Sequence, residues 1–471
     1  MPEFDLLVIG GGWGGYTAAQ TLAQQGGRVA LVEQDKIGGV CLHRGCIPTK
    51  ALLETAAVVQ AITNSSHYGI HVAEPELRWP ETLHARDAIV QRLHDGMERA
   101  LELTKVERIA GTAQMTGATS VRVRPSDGGA EVKLDARALV IATGSEPNTL
   151  PFLPVDGKRV ITSDHAISLT PPKRAIVIGA GAVGMEFASL WTDLGGEVTV
   201  LELLPTVLPG EDRDISRTLD SALKARGAII ETNARIDPQS VKITARSVRF
   251  DYAVNGETRQ AVADVVLVAT GRRPRFEALA PGVAGVTTEA GAVCVDQDMR
   301  TNVNGVYAVG DVTGGLQLAH VAAAQGRFVA ESLLERRPPP IDPLWMPRAV
   351  YTMPQVASIG LTEKQARESG RKLQVGRAHF SVNARALIHH REDGFVKLLT
   401  DAETGDLLGA HIVGPEATEL IGQVSLGRFV DASAWELATA VQPHPTLSEA
   451  VAEAAQAAQR PKLRLTPGRS A

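Results

Sequence analysis

The chain has 471 residues, 44% of them hydrophobic and 21% charged, with a formal net charge of −5. At about 100–200 residues per domain it holds roughly three or four domains, and its charge offers no basic surface for nucleic acid or anionic membrane. Only 4% of residues are aromatic, three are cysteine, and no apolar run reaches the roughly 18–20 residues of a membrane span, which excludes stacking platforms, a secreted disulfide framework and transmembrane helices. The first residues lead into an apolar run with neither a basic region nor a small-residue cleavage site, so a cytoplasmic chain is expected.

Phe4 to Ile9 is a short apolar run of the kind found in a buried parallel strand. It ends in Gly10-Gly11-Gly12-Trp13-Gly14-Gly15, which satisfies G-x-G-x-x-G at Gly10, Gly12 and Gly15. A helix is expected over Tyr16 to Gln25 and a second strand over Arg28 to Val32, ending in Glu33. Such glycines allow a tight turn and close backbone approach to a pyrophosphate, and the helix start supplies amide donors. An acid at the end of the second strand can take ribose hydroxyls.

Two of the three cysteines follow, in Gly38-Gly39-Val40-Cys41-Leu42-His43-Arg44-Gly45-Cys46-Ile47-Pro48-Thr49-Lys50. Along an ideal helix the Cys41–Cys46 spacing is a rise of roughly 7.5 Å, more than the about 4.4–6.8 Å that a disulfide prefers between Cα atoms. A bonded pair therefore requires a tightened or distorted turn and a reducible bond. On spacing alone, two inert buried cysteines are the alternative. Helices are expected near both ends of the insertion from Ala51 to Lys105, and Gly111 to Gly144 alternates like a small β-meander that closes on Leu139 to Gly144, through Thr143.

The first unit then recurs. Arg174 to Ile178 leads into Gly179, Gly181 and Gly184 of a second fingerprint, a helix over Met185 to Leu194 and a strand over Glu197 to Leu201, ending at Glu202. First glycine and acid are 23 residues apart in both copies, and a second meander from Val241 closes in a similar strand, Val265 to Gly271. Two copies imply two dinucleotides and electron transfer between them. Further on, Gly305 to Asp311 delivers Asp311 at a strand end, as a cofactor ligand or a loop-capping residue, and Ala319 opens a helix expected over Val321 to Glu335. Arg336-Arg337-Pro338-Pro339-Pro340 is a linker. Beyond it, strands near Val356–Ile359, Phe395–Leu399 and Leu408–Val413, the segment Pro443-His444-Pro445-Thr446-Leu447-Ser448-Glu449, a helix over Ala450 to Gln459 and a frayed tail from Pro461 read as an α+β domain.

Taken together, GGVCLHRGCIPTK, the two fingerprints, YAVGDV, PQVASIGLTE and HPTLSEA resemble the flavin-dependent pyridine nucleotide–disulfide oxidoreductases over Phe4 to Gln459, and within them the branch that oxidises dihydrolipoamide. The resemblance implies an α/β fold with two Rossmann-like dinucleotide-binding domains, one inserted in the other, and a C-terminal α+β dimerisation domain. The expected boundaries are 1–148 and 273–346 for the FAD-binding and central parts, 149–272 for the NAD-binding domain and 347–471 for dimerisation. FAD would lie on Gly10, Gly12, Gly15, Glu33, Lys50, Thr143, Gly144, Asp311 and Ala319. The nicotinamide cofactor would lie on Gly179, Gly181, Gly184, Glu202 and Gly271. A carboxylate at Glu202 repels a 2′-phosphate and the loop that follows it, Leu203 to Asp212, contains no arginine, the first being Arg213, so NAD is expected over NADP.

By the same comparison Cys46 lies against the flavin and Cys41 exchanges with substrate, Lys50 and Glu186 form an ion pair beside the flavin, and His444, oriented by Glu449, is the thiol base, reaching the cysteines from the other subunit of a homodimer. The expected substrate is a lipoyl group on a partner protein of a 2-oxoacid dehydrogenase or related complex, since no lipoyl segment precedes the first fingerprint. Metal, membrane and nucleic acid have no expected part. The alternatives are a reductase of another disulfide and a non-catalytic flavoprotein subunit. Of the former, a mercuric type lacks its tail cysteine pair and a glutathione type does not match Glu202 and CLHRGC; a mere scaffold would not need Cys41, Cys46, His444 and Glu449 together. Trp13, His43, Arg44 and Arg275 depart from the family's commoner residues, the middle pair bearing on thiol potential or substrate approach, and Cys294 is expected in a strand as a core residue.

Overall fold

Alternation and apolar content set the first sheet. In the computed structural model, which describes residues 3–73 and 75–459, β1 (Phe4–Ile9) sends Leu6 and Val8 into one cluster and Leu7 and Ile9 into another. It is thus covered on both faces, the usual condition of a parallel strand. Then come α1 (Trp13–Ala23), β2 (Val29–Glu33), α2 (Gly39–His43), α3 (Cys46–Thr63), α4 (Trp79–Leu103), β3 (Glu107–Met115), β4 (Ser120–Pro125) and β5 (Val132–Ile141). The parallel order is β3-β2-β1-β5, continued by the strand Val306–Ala308, while β3, β4 and β5 pair antiparallel as the expected meander. The helix Ala319–Leu333 lies against α1 so closely that a Cβ on Gly326 would stand 2.1 Å from the Gly14 carbonyl oxygen.

The chain divides into two compact units, one of residues 1–55, 76–170 and 268–343, the other of 56–75, 171–267 and 344–471. Within the second, the strands Ile229–Glu231, Glu197–Leu201, Arg174–Ile178 and Val265–Val268 follow one another in the order that β3, β2, β1 and β5 take in the first. The helix Ala182–Asp193 stands where α1 stands in its copy. Both helices start three residues before the positions expected from sequence, at 13 and 182 instead of 16 and 185. Low helix propensity places the last fingerprint glycine outside the helix; instead it lies in the first turn, where it is needed for packing.

The C-terminal part is a five-stranded antiparallel sheet of Arg348–Val350, Gln355–Gly360, Leu407–Gly414, Phe395–Asp401 and Leu373–His379 in spatial order. The three strands expected there are present; the two outer ones were missed, being short or poor in apolar alternation. The helices Ala417–Phe429 and Glu449–Gln459 share one core cluster with this sheet. The expected frayed tail from Pro461 lies outside the described residues. Among the described residues no helix is long and apolar enough to cross a membrane.

Glu449–Gln459 approaches the sheet at Gly376, where an added Cβ would stand 2.0 Å from the Ala454 carbonyl oxygen and 2.4 Å from the Ala458 nitrogen. These are backbone atoms that cannot swing aside. Gly376→Ala should therefore cost about 1–3 kcal/mol, read as a lower thermal midpoint against an unchanged one for Glu368→Ala at an exposed site.

Candidate functional site

The two glycine fingerprints are built alike. Gly10 has φ of 105° and Gly179 of 103°, a region closed to most side chains. A Cβ on Gly15 would stand 1.9 Å from the Gly10 carbonyl oxygen, and one on Gly184 1.9 Å from that of Gly179, whereas Gly12 and Gly181 face open space. The turn is thus tight on its inner side and free on its outer side. Gly12 and Gly181 cap their helices without a side-chain hydrogen bond, and neither helix has an acid in its first turn, which leaves amide donors for an anion. Glu33 accepts the Gly11 amide at 2.6 Å and the Asp35 amide at 2.8 Å; Glu202 accepts the Ala180 amide at 2.6 Å and the Leu204 amide at 2.8 Å. Each carboxylate fastens its own turn and keeps lone pairs for ribose hydroxyls.

The cysteine segment packs directly on the first of these turns. The Gly38 amide donates to the Gly11 carbonyl at 2.8 Å, and a Cβ on Gly39 would stand 2.8 Å from the Gly12 Cα. The premise of one ideal helix through both cysteines does not hold: α2 ends at His43, and Cys46 is the first residue of α3. The break falls at Arg44 and Gly45, where a side chain would meet the Val40 oxygen at 3.0 Å and the Cys41 Cα at 3.2 Å. This turn lets both thiols, not joined in a disulfide in this structure, share a hydrogen bond. That bond, with burial and the proximity of Cys46, pushes the Cys41 thiol well up, while Lys50, one turn into α3, acts the other way. Cys46 at a helix start sits where the macrodipole favours a thiolate.

His43 and Arg44 have internal partners. The rings of His43 and His94 both donate to the Ile37 carbonyl, at 2.8 and 3.1 Å, and meet edge-on with centroids 5.2 Å apart. Arg44 pairs with Asp35 at 2.7 Å and approaches Asp164 at 3.7 Å. Trp13 opens α1 edge-on to Tyr16. Cys294 is a correction: it follows the strand Ala292–Val293 and is half-buried, its amide donating to Thr287.

Asp311 stands at the start of a short 3₁₀ turn after Val306–Ala308 and accepts Ser145 Oγ at 2.5 Å; Arg272 Nε donates to the same hydroxyl at 2.8 Å. Ser145 and Arg272 escaped the sequence reading, since 127 residues separate them and neither lies in a motif. Thr143 Oγ1 is buried without a hydrogen-bond partner, next to Gly144 with its φ of 74° and open space where a Cβ would be. Ala319 is the first residue of its helix, and Gly271 holds the Asn148 amide on its carbonyl. Unfilled amides, an orphaned hydroxyl and the open side of Gly12 fit a dinucleotide such as FAD at the first turn; Gly181 and Glu202 fit a second at the other.

Glu186 is buried, and its Oε1 accepts the Tyr351 amide at 3.0 Å. His444 Nδ1 donates to Glu449 Oε1 at 2.9 Å, and Glu449 Oε2 accepts the Thr446 amide at 2.8 Å. The Thr446 amide and then His444 hold the Glu449 carboxyl below its usual range. The imidazole is 74% exposed. Cys41, Cys46 and Lys50 are brought together in the first unit; Glu186, His444 and Glu449 belong to the second. No group of three or more His, Cys, Asp or Glu among the described residues could hold a metal ion.

Residues 4–326 match the family model described as pyridine nucleotide-disulphide oxidoreductase, and residues 346–455 match its dimerisation domain. The chain is 37% identical over 464 residues to a dihydrolipoyl dehydrogenase of Bacillus subtilis, covering 97% of this chain and 98% of that protein. It is 39% identical over 462 residues to one of Chlorobaculum parvum, covering 98% of each. Among solved structures it is similar to LpdA of Mycobacterium tuberculosis, with a TM-score of 0.89 and 29% identity over 96% of this chain and 99% of that one. It is also similar to a Cu(II) complex of the HOCl-induced flavoprotein disulfide reductase RclA of Escherichia coli, with a TM-score of 0.85 and 28% identity over 97% and 99%.

Burial lowers the His43 pKa from its ordinary 6.5, His94 and Lys36 adding to this while the Ile37 bond and Asp35 oppose it. The unfolded chain therefore takes up this proton more readily than the folded one. The stability so contributed is full above the unfolded value and drains away as pH falls through the folded one. Between about pH 7 and about pH 5 the wild-type thermal midpoint should fall more steeply than that of His43→Gln, as melts across that range will show.

Proposed function

We propose, since this chain belongs to the pyridine nucleotide-disulphide oxidoreductase family, that it is a dihydrolipoyl dehydrogenase, oxidising the dihydrolipoyl group of a partner protein and reducing NAD. The observation that carries this reading is the thiol pair Cys41–Cys46 seated on the first glycine turn through the Gly38–Gly11 bond. A dithiol in that place is adjacent to the cofactor that the turn accommodates. In this reading the first unit binds FAD and residues 171–267 are an inserted Rossmann-like domain for NAD, with cytoplasmic homodimers formed through the C-terminal sheet. FAD bound at the first turn, on Gly10, Gly12, Gly15, Glu33, Thr143 and Asp311, supplies two-electron carriage between a dithiol and a nicotinamide.

The chain's own residues do the thiol chemistry. With Cys41 and Cys46 oxidised, a substrate thiolate attacks Cys41 Sγ, forming a mixed disulfide and releasing Cys46 as thiolate. The second substrate thiol then attacks the other substrate sulfur, the one bonded to Cys41, closing the lipoamide disulfide; Cys41 Sγ leaves and takes up that thiol's proton. Two substrate protons must leave, and His444 Nε2 accepts the first of them, the imidazolium being stabilised by Glu449. The start of α3 and the charge of Lys50 favour Cys46 as the anion. In this reading His444 and Glu449 act on the thiols of the second copy. Glu202, 7% exposed and tied to the Ala180 and Leu204 amides, repels a 2′-phosphate and favours NAD over NADP.

Likeness to a flavoprotein disulfide reductase supports a second reading, in which NADH reduces another disulfide through the same cysteines. Steady-state assays separate the two. Turnover with dihydrolipoamide should show kcat/KM for NAD about 10²-fold above NADP, and Cys46→Ser should lose at least about 10³-fold. Failure to oxidise dihydrolipoamide in a flavin-loaded dimer that still reduces another disulfide with NADH favours the second reading.

His444→Gln should slow the dihydrolipoamide half-reaction by about 10²–10⁴-fold while NADH oxidation by an artificial electron acceptor, which needs no thiol base, stays unchanged. Stopped-flow flavin absorbance reads the first and steady-state rates the second. Equal loss in both would remove His444 from the thiol chemistry.

A further inference from the structure

One row of the C-terminal sheet is polar from edge to edge. Arg348 pairs in register with Ser358, Ser358 with His411, His411 with Lys397 and Lys397 with Arg377, so five neighbouring strands each contribute one residue to a single face. Lys397 is 1% exposed, and nothing in the thiol or flavin chemistry uses it.

The row faces the acidic segment Glu211–Asp214 that follows the Glu202 loop. Glu211 takes Arg348 Nε at 2.9 Å and the Ser358 hydroxyl. Lys397 Nζ lies 2.8 Å from Asp212, 2.8 Å from Asp214 and 2.7 Å from Glu363, and Arg377 reaches Asp214. A buried ammonium needs this many acceptors, and each carboxylate would be costly without it. Asp212 also caps the helix Arg213–Ala225 by accepting the Asp214 amide at 3.1 Å.

From that segment a chain of bonds leads to the second fingerprint. Ser216 Oγ donates to the Leu208 carbonyl at 3.3 Å, the Leu208 amide donates to the Ala180 carbonyl at 2.8 Å, and the Ala180 amide is held by Glu202. Leu208 is buried with φ of 44°, a conformation a leucine keeps only where its surroundings enforce it.

We propose that this row is a rack for the nucleotide loop: Lys397, with Arg348 and Ser358, fixes Glu211–Asp214 and through it the placement of residues 203–210 beside Glu202, making Lys397 a positioning residue for the nicotinamide dinucleotide. The proposal rests on the assignment of the second fingerprint to NAD. It makes nucleotide affinity depend on a sheet that carries no nucleotide ligand.

The test compares Lys397→Met and Ser358→Ala with wild type in the flavin-loaded enzyme. The KM for NAD should rise about 3- to 30-fold in Lys397→Met and about 2-fold or more in Ser358→Ala. Flavin reduction by dihydrolipoamide without NAD should keep its wild-type rate in both. Should Lys397→Met fail to fold, Ser358→Ala, which deletes one hydrogen bond, decides alone. An unchanged KM for NAD in the folded variants, or equal slowing of both half-reactions, overturns the rack while leaving the NAD assignment intact. A wild-type enzyme that does not quench NADH fluorescence on titration removes the assignment and the rack together.

Discussion

A carbonyl oxygen 1.9 Å from where a side chain would begin is the constraint on which the rest depends. With glycine at 15 and 184, the first helical turn of each copy closes onto the carbonyl of Gly10 or Gly179, and the outer side of the turn stays open. The acid at the end of the next strand then fastens the turn from behind, Glu33 through Gly11 and Glu202 through Ala180. The helix starts at the same place relative to that contact in both copies, in two stretches about a third of the chain apart. The cysteine segment packs on that turn as well, since Gly39 can lie against the Gly12 Cα only because it has no side chain of its own.

What could be read in advance followed the range of the interactions. Strands such as Phe4–Ile9 and Arg174–Ile178 were legible because burial on both faces leaves an unbroken apolar run. The His444–Glu449 pairing was expected from the resemblance carried by HPTLSEA, and the two residues hydrogen-bond across five positions. The break at Arg44–Gly45 was not, because a spacing of five suits a helix as well as a turn, and only packing against Cys41 and Val40 decides. Ser145 with Arg272, and Lys397 with Asp212, are joined across 127 and 185 residues, and no local pattern announces a partner so distant. The polar row in the C-terminal sheet was hidden for a further reason. Each of its members looks like an ordinary polar position in its own strand, and only register aligns them.

The two polar clusters differ in how charge is handled. At the surface Arg44 and Asp35 are both substantially exposed, and water competes for the pair, so their net worth is small. Lys397 and Asp212 are buried; burial works to raise the Asp212, Asp214 and Glu363 carboxyls, and the lysine, together with neighbouring donors and cations, more than compensates, holding all three below their usual range. Such a cluster tolerates no half measures. With every partner present it fixes geometry, and with one missing it leaves stranded charge.

The loop after the acid has the same anchor in both copies: Gly38 gives its amide to the Gly11 carbonyl, and Leu208 gives its amide to the Ala180 carbonyl, each at 2.8 Å. One copy continues from that anchor into the thiol helices, the other into an acidic segment clamped by a distant sheet. If the two units descend from one, the shared hydrogen bond marks where their histories part. Up to that bond the two scaffolds are alike, and it is in the residues immediately beyond it that they differ.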